Sequence, residues 1–226
     1  MYDVLTMKKL LQKSNDKKEN MMRTPDMYQN EWDDLGNTFL KISEALFEIE
    51  CYKISGESYI NAAQCYKNAN NYDCEKKCYL MGIKCYKNFP DIKKRIGCYD
   101  LLINFLLINS DYKSMYIYIL KICDLFVQLK DYENIVFYYN KIILLLDCDD
   151  DKIKHIKIKT KISRYKCLLR DYNQSIDYLD SCINICLIDN FHKHISIDII
   201  LDKIFVMIVS NCFTIFEIDT TIEKYK

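Results

Sequence analysis

Short polar side chains recur along this chain at intervals of twenty residues, and an amphipathic run follows each of them. The recurring positions are Asn71, Asp91, Asp111, Asp131, Asp151 and Asp171. A carboxylate or amide oxygen there can accept the free backbone N–H groups of a helix's first turn, so each is predicted to be an N-cap. A fixed period of roughly 20–50 residues is typical of repeat proteins. The pattern therefore predicts one helix per twenty residues and one helical hairpin per forty.

The same alternation of apolar and polar positions predicts helices on both sides of these six units. They cover residues 2–13, 30–49, 55–70, 191–213 and 215–226. The polar stretch after the first of them, with Met21 and Met22 before Pro25, is predicted to be a mobile loop. Residues 1–28 are thus expected to form a short helix and a loop, and residues 29–226 one helical-repeat domain.

Stacked hairpins of this kind give an all-α fold in which each repeat contacts mainly its neighbours. We expect a curved, right-handed superhelical sheet of tetratricopeptide-like helical hairpins. Small residues at a helix crossing, such as Ala62 and Ala63, allow the helices to pack closely. Later units have isoleucine, leucine, tyrosine and cysteine instead of these alanines, so looser packing is expected there.

The composition favours binding over several other classes of function. The chain has 32 basic and 32 acidic residues, so no overall field favours nucleic acid or an anionic membrane. Only four glycines and two prolines occur among 226 residues. A chain so poor in these residues has little material for β-hairpin turns or for loops that bind phosphate.

The twelve cysteines are spaced for a helical core rather than for disulfides or metal. Cys74, Cys78 and Cys85 follow the i, i+4, i+11 spacing of one helix stripe, and Cys182 and Cys186 repeat its first step. Buried cysteine on such a stripe behaves as a small apolar side chain. No CxxC motif occurs and only three histidines are present, so zinc binding is not expected. We predict a protein of the reducing cytosol without a signal peptide.

Membrane contact is expected to be peripheral at most. The longest uncharged and mostly apolar run, residues 204–216, would reach only about 20 Å as a helix, against a hydrocarbon core of about 30 Å. This run is therefore predicted to be a core helix. Met21 and Met22 alone would be a weak anchor, since stable attachment usually takes two signals. We expect a cytoplasmic location.

Candidate catalytic and metal-binding residues form no set with assignable roles. The acidic cluster at 147–151 lacks the glycine and the distal glutamate of a calcium loop, and it is interpreted as the charged start of a helix. His192 and His194 would point to opposite sides of a helix, and His155 stands among lysines. We predict no enzyme activity, no cofactor and no metal site.

The basic run at residues 152–166 is the most informative polar feature. Its alternation of lysine and isoleucine would fit a strand, but Asp151 precedes it as a cap and the neighbouring units are helical, so a helix is predicted. On a helix, four basic side chains share one face at i, i+3, i+7 and i+10: Lys154, Lys157, Lys161 and Arg164. An ordinary solvated face usually mixes both signs. The stripe is therefore either a surface for an acidic partner or a plain solvated face.

Several segments resemble the soluble NSF attachment proteins. YINAAQCYKNANNY at 59–72 is similar to an early helical hairpin of that family in its paired alanines and flanking aromatic residues. LKDYENIVFYYNK at 129–141 and LLRDYNQSIDYLD at 168–180 resemble later helices, and EKYK at 223–226 is similar to the segment that closes the family's helical sheet. WDDLGNTF at 32–39 fits the family's third helix whereas 59–72 fits its second, so two registers stay open in the first half.

The resemblance implies an adaptor in vesicle trafficking and membrane fusion. Members of the family wrap the acidic four-helix bundle of assembled SNARE proteins with a basic concave face, and they recruit the hexameric ATPase NSF. A family lysine that contacts the bundle falls on Lys157, within the basic stripe. A second falls on or near Ile117, where Lys113 and Lys121 are the nearby substitutes. The resemblance thus implies SNARE proteins and an NSF-type ATPase as partners.

The end of the chain adds one expectation and leaves two alternatives. After EKYK the family continues with a globular bundle whose last leucine stimulates the ATPase. The resemblance therefore fits a truncated decoy that grips SNARE bundles without stimulating NSF, and it fits a degenerate copy with another partner equally well. The alternative is a generic tetratricopeptide-like scaffold that receives another peptide or protein. A third hypothesis is a structural or assembly protein.

Overall fold

A computed structural model describes most of the chain as a series of α-helices. The described residues are 4–23, 28–146, 151–188, 193–210, 213 and 215–224. The helices among them are α1 (Val4–Met22), α2 (Gln29–Glu48), α3 (Tyr52–Asn68), α4 (Tyr72–Asn88), α5 (Ile92–Ile108), α6 (Tyr112–Leu129), α7 (Tyr132–Leu146), α8 (Lys152–Leu168), α9 (Tyr172–Ile188), α10 (Lys193–Ser210) and α11 (Ile215–Lys224). The all-α fold and the spacing of one helix per twenty residues are confirmed.

Packing divides the chain into two compact units. The first is Met1–Asp111, with α1 to α5, and the second is Tyr112–Lys226, with α6 to α11. The boundary lies inside the range 29–226 that the sequence predicts as one repeat domain, and that domain stays a prediction.

The predicted N-caps begin the helices. A side-chain oxygen accepts the backbone N–H three residues further on, at 2.9 to 3.4 Å, from each of Asn71, Asp91, Asp131, Asp151 and Asp171. Asp111 directly precedes α6, and its carboxylate forms an ion pair with Lys76 at 3.2 Å. The polar position of the repeat therefore fixes where the helices start.

A second period of twenty marks where the helices end. In the described part of the chain, five residues other than glycine have left-handed backbone, with φ between 54° and 60°: Glu50, Asn70, Ser110, Lys130 and Arg170. The next N–H then turns back to the last turn of the helix, as from Asn71 N to Tyr66 O at 2.9 Å. Pro90 takes the corresponding place between α4 and α5, where its ring restricts φ to negative values.

The first helix is longer than predicted. α1 continues to Met22 through the polar stretch predicted to be a mobile loop, so that prediction is wrong. The reason is tertiary, because the buried ammonium of Lys18 donates to Asn61 Oδ1 at 2.8 Å and to Gln64 Oε1 at 2.7 Å on α3. Met21 is buried as well. Partners more than forty residues away hold this polar segment in place.

The first unit packs small residues against tyrosines. Ala62 and Ala63 are fully buried on α3, which confirms the predicted close crossing. A Cβ atom added to Gly36 would lie 2.9 Å from Cε1 of Tyr66, a distance that leaves no room for a side chain. The helices of this unit thus approach as closely as glycine and alanine allow.

The second unit has a core of branched aliphatic side chains and thiols. Its buried cluster includes Ile156, Leu179, Ile183, Cys182 and Cys186. Burial raises the pKa of Cys182 to about 11, so its thiol stays neutral. Seven of the ten described cysteines are buried free thiols across the two units. The interpretation of cysteine as a core residue is confirmed for these seven.

The longest apolar run of the sequence lies partly on α10. This helix contributes Ile199, Val206 and Met207 to the core of the second unit, whereas Phe205, Ile208 and Val209 of the run are exposed. The prediction of a core helix therefore holds for one face of α10. Within the described ranges, no helix is both long and apolar enough to cross a bilayer. Residues 211, 212 and 214 of the run lie outside the described part of the chain.

Candidate functional site

The basic stripe predicted from the sequence lies on α8 of the second unit. Its four members are exposed: Lys154, Lys157, Lys161 and Arg164. The opposite face of α8 is buried through Ile156, Ile158 and Ile162. The alternation of lysine and isoleucine therefore folds as the predicted helix, with these three isoleucines in the core and the four cations towards solvent.

Two members of the stripe form ion pairs within the second unit. Lys154 Nζ lies 2.8 Å from Asp151 Oδ2, and its hydrogen bonds lower the pKa of that carboxyl. The Arg164 guanidinium lies 3.0 Å from Asp202 Oδ2 on α10. Both pairs are exposed on the surface, where an ion pair contributes about 0–1 kcal/mol. These cations can therefore exchange their own carboxylate for that of a partner.

Stacked tyrosines support the helix that carries the stripe. The rings of Tyr132 and Tyr139 on α7 stack on Tyr165 of α8, with centroids 5.9 and 6.1 Å apart. Burial raises the pKa of Tyr139, so its hydroxyl stays protonated. Lys161 Nζ lies 5.6 Å from the centroid of the Tyr139 ring, within the range of a cation–π interaction.

A pocket between α8 and α10 is lined by three members of the stripe. This α8–α10 pocket, of about 350 Å³, is lined by Tyr116, Ile156, Lys157, Ile158, Thr160, Lys161, Arg164, Ile195, Asp198, Ile199 and Asp202. Asp198 and Asp202 place acidic groups opposite the cations, which the sequence analysis missed. Their i, i+4 spacing was the available signal, because it puts both on one face of a helix.

A second pocket joins α6 to α8. This α6–α8 pocket, of about 530 Å³, is lined by Tyr112, Lys113, Tyr116, Ile117, Leu145, Leu146 and Lys154. Tyr116 lines both pockets, so the two are neighbours. The structure thus brings Lys113 to the stripe, and Ile117, the position of a family lysine, lies in the pocket wall.

Lys121 lies apart from these two pockets. It is exposed on α6, and its ammonium lies 4.8 Å from the centroid of the Tyr118 ring on the same helix. Eight residues separate it from Lys113, so the two lie about two helical turns apart.

The described candidates for catalysis and metal binding do not come together in a common site. His155 is half-buried in the first turn of α8, while His192 and the side chain of His194 lie outside the described residues. Of the acidic cluster at 147–151, the structure describes only Asp151. No three His, Cys, Asp or Glu side chains in the described part of the chain are grouped so that they could hold a metal ion.

Solved structures with tetratricopeptide-like repeats resemble this chain. A putative kinesin light chain of Podosopora anserina with nearly identical repeats is 5% identical, with a TM-score of 0.52 over 84% of this chain and 92% of that chain. BtubC from P. vanneervenii is 10% identical, with a TM-score of 0.48 over 97% and 87%. A signal transduction ATPase with a tetratricopeptide repeat sensor, from Pyrococcus horikoshii, is 11% identical, with a TM-score of 0.47. The first likeness supports the tetratricopeptide-like fold.

The match with the Pyrococcus protein covers 97% of this chain, and this chain spans only 32% of the length of that protein. Among curated protein sequences, none matches it. The profile of the family described as Soluble NSF attachment protein, SNAP, matches residues 28–226, which include α2 to α11. This match spans most of the sequence. The helical-repeat fold of the chain is that of a protein-binding scaffold. The chain belongs to the soluble NSF attachment protein family.

Proposed function

We propose that this chain is a cytoplasmic adaptor that binds SNARE bundles in vesicle trafficking, through a basic surface on its second unit. The basic surface consists of Lys113, Lys121, Lys154, Lys157, Lys161 and Arg164. Membership of the family supports the class of partner. The observation that carries the proposal is the exposure of four cations along one face of α8.

The chemistry of the basic surface suits a long acidic partner. Its members lie on two helices of one unit, and five of the six line two neighbouring pockets. A rod of helices with carboxylates on its surface can meet several of these cations at once. Such contacts guide association and specificity, and salt screens them because they are exposed.

Charge reversal of the stripe tests the proposal. The variant replaces Lys154, Lys157, Lys161 and Arg164 by Glu, and capture of a purified SNARE bundle is measured at several salt concentrations. We expect about 30-fold weaker binding, because four exposed contacts of about 0.5 kcal/mol each sum to about 2 kcal/mol. The dependence of binding on salt should also flatten.

A matched control carries the same change of charge elsewhere. It replaces by Glu four exposed lysines of α1: Lys8, Lys9, Lys13 and Lys17. These residues precede the range that matches the family, 28–226. We expect this control to bind like the unmodified chain, with circular dichroism showing that both variants stay helical. Undiminished capture by the stripe variant, or equal loss in both, would contradict the proposal.

The same preparation separates the finer hypotheses. A decoy would capture the bundle without raising ATP hydrolysis by NSF, whereas an active adaptor would raise it. A generic scaffold would respond to the tail sequence of its partner and little to salt. Hydrolysis and salt titration therefore report on these hypotheses independently of the capture step.

A further inference from the structure

We propose that the α6–α8 pocket binds one bulky apolar side chain of an acidic peptide segment, while Lys113 and Lys154 bind carboxylates on either side of it. This inference deepens the function proposed above and rests on it for the identity of the partner. It adds an apolar anchor to a surface that the sequence describes only by its charge.

The walls of the pocket are apolar and open to solvent. Tyr112 and Ile117 are 49% and 46% exposed on α6, and Leu145 and Leu146 close the pocket from the last turn of α7. Its volume of about 530 Å³ falls within the range of roughly 300–1,000 Å³ that is usual for ligand pockets. Covering exposed apolar walls with an apolar side chain removes them from water, which favours binding.

The rim of the pocket is basic on both sides. Lys113 lies in the first turn of α6 and Lys154 in the first turn of α8, so both belong to the N-terminal end of a helix. The positive end of a helix dipole adds to the attraction for an anion. Lys154 already pairs with the carboxylate of Asp151 at 2.8 Å, an exposed ion pair that an incoming carboxylate can replace.

The neighbouring α8–α10 pocket favours a peptide over a small amphiphile as the ligand. Tyr116 lines the α6–α8 pocket and also the α8–α10 pocket, which presents Lys157, Lys161 and Arg164. A ligand anchored beside Tyr116 therefore passes next to three further cations. A peptide with several carboxylates can contact them, whereas a fatty acid has one carboxylate and would leave them unused.

Two peptides and two variants test the pocket directly. The probes are a fluorescent twelve-residue acidic peptide with one central leucine between glutamates, and its counterpart with alanine at that place. The variants of the full chain are Ile117→Gln in the pocket wall and Val127→Gln on the same helix. Val127 is a matched control because its exposed fraction of 43% is close to that of Ile117, 46%. It also lies outside the pocket lining.

We expect the leucine peptide to bind the unmodified chain about tenfold more tightly than the alanine peptide, since the anchor loses three carbons. Ile117→Gln should reduce this preference at least threefold, and Val127→Gln should keep it. Salt should weaken both peptides alike and leave their ratio unchanged. Neither substitution alters charge, so the effect reports on the apolar anchor alone.

Equal binding of the two peptides, or the same preference in Ile117→Gln, would overturn the pocket proposal. A second combination of results would also overturn it: laurate binds, Ile117→Gln abolishes that binding, and the two peptides bind equally. The pocket would then hold a fatty acid. Failure of the SNARE hypothesis would give a different combination of peptide binding and bundle capture. In that case the leucine preference persists while the bundle is not captured.

Discussion

The helices of the first unit cross where a glycine faces a tyrosine thirty residues later, and those of the second unit have no glycine at all. Gly36 faces Tyr66, and Gly56 faces Tyr86 in the same way. Eighty residues after Gly36 and Tyr66, the corresponding positions hold Tyr116 and Leu146. Tyrosine thus stands in place of the glycine, and leucine in place of the tyrosine.

This exchange changes what the crossing leaves open. In the first unit the tyrosine rings fill the space above the glycines, and Tyr66 is fully buried. In the second unit Tyr116 and Leu146 line the α6–α8 pocket. The same repeat positions therefore give close packing at the Gly36–Tyr66 crossing and line an open pocket eighty residues later.

The units also differ in where they place charge. In the described part of the chain, the buried residues of the Lys, Arg, Asp and Glu types are Lys18 and Glu75, and both belong to the first unit. Glu75 accepts a hydrogen bond from the Tyr79 hydroxyl at 3.1 Å, and burial raises its pKa. The cations of α8 are exposed beside the pockets instead. Charge contributes to internal packing in the first unit and remains available to a partner in the second.

The largest expected effect comes from breaking a glycine crossing. A Cβ atom on Gly56 would lie 2.8 Å from Cζ of Tyr86. We expect Gly56→Val to lower the free energy of unfolding by about 2–3 kcal/mol, because an overpacked core must move its neighbours. Urea unfolding followed by circular dichroism measures the change. Replacing Tyr86 by Leu in the same chain should restore part of the loss, since it reproduces the smaller partner of the second unit.

Gly97 supplies the control for this experiment. No heavy atom lies within 4 Å of a Cβ atom added there on α5. Gly97→Ala should raise the free energy of unfolding by about 0.5–1 kcal/mol, because alanine favours the helix interior. A similar loss of stability from Gly97→Ala and Gly56→Val would argue against the close crossing as the cause.

An intermediate effect is expected where the two units are alike. Ser55 Oγ donates to Ser43 O at 2.8 Å in the first unit, and Ser175 Oγ to Ser163 O at 2.9 Å in the second. All four serines are buried. We expect Ser55→Ala and Ser175→Ala each to cost about 1 kcal/mol in unfolding experiments, the usual net value of such a hydrogen bond.

Equal costs would show that the two units share this contact despite their different crossings. The pairs lie 120 residues apart, which is three hairpins of forty. A loss of stability in only one of the two variants would mean that equivalent repeat positions do not contribute equally to stability.

The smallest effects are expected at the left-handed helix ends. Lys130 has φ of 54° and Asn70 has φ of 56°. We expect Lys130→Gly to stabilise the chain by about 0.5–1 kcal/mol, because relief of the left-handed strain exceeds the added entropy of the unfolded chain. Asn70→Gly should change stability less, since asparagine tolerates this conformation. Thermal unfolding of the two variants compares them, and a larger gain at Asn70 would contradict the argument.

Much of the fold could be predicted because its signals are local. The caps at Asp91 and Asp151 act on N–H groups three residues away, so the sequence contains both partners of the interaction. The loop predicted for residues 14–22 is wrong for the opposite reason. Lys18 is held by Asn61 and Gln64, and no local pattern reveals such distant partners.

In the candidate site, too, the features that depend on local spacing could be predicted and those that depend on helix packing could not. The shared face of Lys157, Lys161 and Arg164 follows from helical spacing alone, and the structure shows it exposed. The α6–α8 pocket could not be predicted, because Lys113 and Lys154 are 41 residues apart and meet only through helix packing. Asp202 was also missed, since its pairing with Arg164 joins two helices.

The sequence by itself determined the helices of the twenty-residue repeat, their capped starts and the exposed basic face of α8, because these depend on hydrogen bonds and periodicity within a few residues. The tertiary structure alone decided which side chains fill a helix crossing and which leave a pocket. That choice depends on the sizes of residues thirty or more positions apart, and only packing compares them.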